Sequence, residues 1–72
     1  MTERVIIMMP LLDEGVEVWR PVEAEPLDND RYRIVGPIPD DEEWAFAPGS
    51  IVIGSLSTFY GGVRKLTAKQ AD

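Results

Sequence analysis

Six prolines and six glycines divide this 72-residue chain into short apolar runs, and the longest, Val5 to Leu12, is itself broken by Pro10. Helical periodicity is weak throughout. β-Branched and aromatic residues arrive in bursts of strand length between turn residues, the pattern of a small barrel or sandwich. Val, Ile, Leu and Phe supply 20 of the 72 residues, well above the range of disordered chains, so the chain should fold. A single domain of this size buries only about 60% of its unfolded surface and is expected to be stable by roughly 3–5 kcal/mol.

Val5 to Leu12 reads as a first strand with one face on the core and the other on a neighbour, followed by a turn at Asp13-Glu14-Gly15. Val16 to Ala24 alternates: Val16, Val18, Val22 and Ala24 share one parity, while Glu17, Glu23 and Glu25 share the other. Trp19 falls with the glutamates. Either the strand bulges near Arg20-Pro21, or the indole lies across the surface. Asp28-Asn29-Asp30 is a polar turn, and the strand Arg31 to Val35 puts Tyr32 and Ile34 on the core side and Arg31 and Arg33 on the solvent side. Gly36 to Glu43, with two prolines and four consecutive acids, reads as an irregular loop ending at Trp44.

Ala47-Pro48-Gly49-Ser50 fits a type II turn, with glycine where φ must be positive. A strand begins at Ile51, and a two-residue turn at Gly61-Gly62, with Tyr60 opposite Val63 and Phe59 opposite Arg64, leads into a last strand around Val63 to Ala68. A helix over Arg64 to Ala71 is the local rival, and Lys69 to Asp72 should fray. The fold expected is all-β, a small antiparallel SH3-like barrel of about five strands, closed so that few edges stay exposed.

The strings Val18-Trp19-Arg20-Pro21-Val22-Glu23-Ala24, Tyr32-Arg33-Ile34 and Asp41-Glu42-Glu43-Trp44-Ala45-Phe46-Ala47-Pro48-Gly49 with Val52 resemble a family of small uncharacterised bacterial proteins. The resemblance covers about residues 5–53 and implies a compact β domain without a transferable activity. The acidic loop running into Trp44 is also similar to that of SH3 peptide-binding domains, but their Ala-Leu-Tyr-Asp-Tyr strand and Pro-Ser-Asn-Tyr segment are absent.

Composition excludes much chemistry. The chain has no cysteine, hence no disulfide framework, thiolate nucleophile or zinc ribbon, and no histidine, the commonest metal ligand and general base. A reducing cytoplasm is the simplest setting. Neither a bilayer-spanning segment nor a signal peptide is expected from the Val5 to Leu12 run. Ser50, Ser55 and Ser57 would need a base, and Lys65 and Lys69 are the only lysines, both in a surface segment. No enzyme, cofactor or small-molecule substrate is expected.

Thirteen acids against seven bases give a net charge of −6. Twelve of those acids lie in residues 1–43, a field that repels phosphates and anionic lipid at long range. Asp40, Asp41, Glu42 and Glu43, joined by Asp13 and Glu14 if the fold brings them near, offer carboxylate oxygens to a hard cation, but a solvated loop is the better reading. Asp28-Asn29-Asp30 begins like a calcium loop, yet Arg33 stands at the glycine position and Pro39 at the closing glutamate.

The aromatic set Trp19, Trp44 and Phe46 is the strongest candidate for a working surface, since two tryptophans are more than a tiny core easily hides. The plainer alternative is that Trp44 and Phe46 plug one end of the barrel and Trp19 covers the other. Trp and Arg are favoured interface anchors, and an acidic rim selects a basic partner. The expected function is a non-enzymatic protein-interaction module, or a small homo-oligomeric adaptor, using Trp19, Arg20 and Trp44 with Asp40, Asp41, Glu42 and Glu43. The alternative is a nucleic-acid-binding barrel using Arg31, Arg33, Arg64 and Lys65, which requires those four side chains to converge on one face.

Overall fold

The computed structural model describes residues 3–16 and 18–71; Glu17, read above as an outward position, and Asp72 lie outside them. Five strands, β1 (Val5–Pro10), β2 (Trp19–Pro26), β3 (Arg31–Ile34), β4 (Ile51–Thr58) and β5 (Arg64–Gln70), form a closed barrel in sequence order. The chain is all-β apart from a 3-10 turn at Tyr60–Gly62, compatible with the SH3-like class of small barrels. The segment read as a strand or helix after Arg64 is a strand.

One expectation is corrected. Consecutive neighbours are antiparallel, but β1 and β5 close the barrel in parallel, with Met8 opposite Thr67. The reason is arithmetic: in a meander each strand reverses the one before, so the first and fifth point the same way. An odd-stranded meander cannot close antiparallel.

The inward parities form the core. Ile7, Met9, Val22, Ala24, Ile34, Val52 and Ala68 are buried, with Val5, Tyr32, Trp44, Phe46 and Leu66 packed against them. Fully burying a side chain such as Ile7 or Val52 contributes about 1.5–3 kcal/mol. Gly54 of β4 is glycine because Tyr32 and Leu66 occupy its space: an added Cβ would stand 2.8 Å from Tyr32 Cδ1 and 3.1 Å from Leu66 Cδ1.

Local turn chemistry behaves as read. Asn29 and Asp30 both take positive φ, and Arg31 N–H closes on the Asp28 carbonyl, as in a type I′ turn. Ser50 N–H donates to Ala47 O at 3.0 Å across Pro48-Gly49, with Gly49 at φ +89°. Several boundaries differ: β1 ends at Pro10, with Leu11 in an isolated bridge and Leu12 exposed, and β3 ends at Ile34. β2 starts at Trp19, so Val16 is exposed and Val18 only half-buried, because the hairpin makes one last bond, Leu11 N–H to Val18 O, before Leu12 pairs across to Glu43. The β4–β5 turn holds three residues: Phe59 N–H donates to Val63 O, Gly62 N–H to Phe59 O, and Thr58, not Phe59, opposes Arg64. Lys69 and Gln70 do not fray, since they pair with Ile53 and Val52. Among the described residues no helix is long and apolar enough to cross a membrane.

Candidate functional site

The acidic segment between β3 and β4 is stitched to the end of β1. Leu12 N–H donates to Glu43 O at 2.8 Å, Ala45 N–H donates to Pro10 O at 3.0 Å, and Leu11 and Trp44 form an antiparallel bridge. These bonds fix Trp44 at the barrel mouth. Its ring packs against the core, and Phe46 packs with it, which is the end-plug arrangement.

Trp44 is more than a plug. Its Nε1–H donates to Glu42 Oε1 at 3.0 Å, while Glu42 Oε2 accepts from Arg20 Nε at 3.1 Å. One carboxylate, its side chain only 13% exposed, therefore holds an indole and a guanidinium in fixed positions. Arg20 shares the parity of Val22 and Ala24, and its place opposite Met9 lets it reach Glu42 from the barrel end.

Two depressions flank this carboxylate. On one side Arg20 and Trp44 line an open groove of about 290 Å³ with Pro21, Pro37, Pro39 and Arg4. On the other, Glu42 joins Leu12, Asp13, Glu14, Asp40, Asp41 and Glu43 around an acidic hollow of about 230 Å³. Glu43 is crowded there: a side-chain hydrogen bond with Asp13, then the charge of Asp13, raises its pKa above the ordinary carboxylate value. Even so, no group of three or more carboxylates among the described residues is arranged to hold a metal ion. Pro37 and Pro39 come from the loop after β3 and Pro21 from β2, and no sequence signal joined the two segments.

Trp19 lies elsewhere. It takes the outward parity of Glu23 and Glu25, is half-buried, and meets Phe59 edge to face, ring centroids 5.7 Å apart. Met8 and Thr67, also at outward parities, are buried. Thr67 Oγ1 donates to Ser55 O at 2.8 Å and accepts from Ser57 Oγ at 3.2 Å. The structure thus brings together Arg20, Glu42 and Trp44, sets Asp40, Asp41 and Glu43 beside them, and places Trp19 on the other face of β2. Phe59 was the missed partner, and only the register of a long hairpin could have revealed it.

The four basic residues of the alternative are spread out. Arg31 and Arg33 oppose Ile53 and Ile51, whereas Lys65 and Arg64 oppose Ser57 and Thr58 near the hairpin tip, on opposite parities. Arg33 also lies 3.7 Å from Glu25, and Tyr32 between the two arginines packs against the core, as its parity predicts. No protein-family model, curated protein or solved structure matches the chain, so the fold and these side chains carry the functional reading.

Proposed function

We propose that the chain is a non-enzymatic protein-interaction module, able to act as a small adaptor, whose contact surface is the Arg20–Glu42–Trp44 face and its acidic rim. The carrying observation is that one Glu42 carboxylate holds both Arg20 and Trp44 at the edge of an open, proline-lined groove. Anchors held in place before binding lose little entropy on contact. Asp40, Asp41 and Glu43 beside them favour a basic partner and penalise an acidic one. The absence of histidine and cysteine supports a binding role in a reducing compartment over catalysis.

The test is an NMR titration of the intact chain with a short lysine- and arginine-rich peptide and with its glutamate-rich counterpart. Shifts confined to Arg20 and residues 37–44, with the basic peptide alone, are expected. No shift, or equal response to both peptides, removes the proposal.

A further inference from the structure

We infer that the free edge of β4 at residues 56–58 docks the same edge of a second copy of this chain, strand to strand, about a two-fold axis at Ser57. β4 runs from Ile51 to Thr58, but β3 covers it only as far as Ile53, whereas β5 pairs with it all the way to Thr58. The outer half of the β4–β5 hairpin is therefore a two-stranded ribbon. Alternation along the strand decides which groups its edge offers. Phe59 N–H turns into the hairpin, to Val63 O, whereas Gly54 N–H turns the other way, to Asp30 O. Leu56 and Thr58 share the parity of Gly54, so their N–H and C=O groups point away from β5, and among the described residues no backbone group meets them there. The Leu56 side chain has the core-facing parity of Val52, yet it is 60% exposed where Val52 is fully buried.

An exposed edge is a template for another strand, and folded proteins guard it with charge, proline, a bulge or extreme shortness. Ser55, Leu56, Ser57 and Thr58 supply neither charge nor proline, and their unbroken register with Thr67, Leu66, Lys65 and Arg64 leaves no bulge. The ribbon's other edge, on β5, carries Arg64 and Lys65. Of the two edges only that of β4 is unguarded.

The bounds of the free stretch name its occupant. At one end the β2–β3 turn stops an incoming strand at Gly54, whose N–H Asp30 already holds; at the other the chain turns away through Tyr60–Gly62. A stretch so short and uncharged matches its own counterpart, which brings no like charge to the join. An antiparallel mate centred on Ser57 sets Leu56 opposite the second copy's Thr58, and Thr58 opposite its Leu56, each pair exchanging both backbone bonds. A mate centred on Leu56 would instead need the Gly54 N–H. In the Ser57 arrangement the two Leu56 side chains become diagonal neighbours on one face, each beside Leu66 of its own chain. The contact is isologous, so it closes at a dimer.

Sedimentation velocity of the full chain over a concentration series, with amide exchange read by NMR, tests this. Mass should rise toward the dimer with concentration, and more steeply once salt screens the net charge of −6 on each copy. The Leu56 and Thr58 amides should gain protection in step with dimer, while that of Gly54, already bonded within the chain, should not change. Leu56→Lys keeps the backbone donor but sets two like charges side by side, and should weaken association about tenfold or more. Leu56→Pro removes a donor that points away from β5, so it should abolish association and leave the hairpin's own ladder in place. A parent chain that stays monomeric at millimolar concentration, a dimer whose Leu56 and Thr58 amides exchange freely, or a dimer indifferent to Leu56→Lys overturns the inference. A monomer that takes up an unrelated extended peptide along β4 assigns the edge to another protein and also overturns it. None of these results touches the basic-peptide proposal, which uses the Arg20–Glu42–Trp44 face.

Discussion

Glu42 and Trp44 stand two residues apart in the chain and meet side chain to side chain, indole Nε1–H to carboxylate Oε1, at 3.0 Å. Because the same carboxylate takes Arg20 on its other oxygen, one side chain fixes both anchors of the proposed surface.

Removing that carboxylate should loosen both anchors. Glu42→Ala leaves a half-buried indole N–H and a guanidinium without their acceptor, at a cost of about 1–3 kcal/mol. Glu42→Gln keeps an acceptor and should cost about half as much. Urea melts followed by tryptophan fluorescence give the stability difference, and basic-peptide affinity should fall with both variants.

Gly54→Ala tests the inside of the barrel. Its Cβ would press on Tyr32 Cδ1 at 2.8 Å, within a ring that closes one side of the core. Overpacking of this kind costs about 1–3 kcal/mol. Adding Tyr32→Leu should recover part of the loss, so a double-mutant cycle in urea should be clearly non-additive.

The Asp13–Glu43 contact makes stability depend on pH. Glu43 has a raised pKa in the fold, so its favourable contribution is present below the ordinary carboxylate value, about 4.3, and is lost as pH rises through the raised value. Asp13→Asn removes the crowding, and asparagine tolerates the positive φ of 59° at that position. The variant should melt higher than the parent at pH 7 and lose its advantage on acidification. Melting temperatures between pH 3 and 8 provide the check.

Thr67→Val probes the closing seam. Thr67 is buried, donates to the Ser55 carbonyl and accepts from Ser57, next to its pairing with Met8. Loss of the hydroxyl should cost about 1–2 kcal/mol, whereas Thr67→Ser should retain the bonds and lose only a methyl group. Denaturant midpoints of the two variants separate the effects.

Trp19→Ala separates stability from binding. The edge-to-face pair with Phe59 contributes about 0.5–1.5 kcal/mol beyond the area it buries, so the variant should unfold at lower urea. Affinity for the basic peptide should stay unchanged, because Arg20, Glu42 and Trp44 lie on the other side of β2.

By itself the sequence determined whatever depends on neighbours along the chain. Alternation placed Val22 and Ala24, and Tyr32 and Ile34, on the core side. Pro48-Gly49 and Asn29-Asp30 fixed their turns, because φ preferences are local sterics. The tertiary structure alone decided the parallel closure of β1 on β5, the Trp19–Phe59 contact and the placement of Glu42 between Arg20 and Trp44. Each joins segments distant in sequence through strand register and stagger, and no short-range period encodes which of several compatible registers closes the barrel.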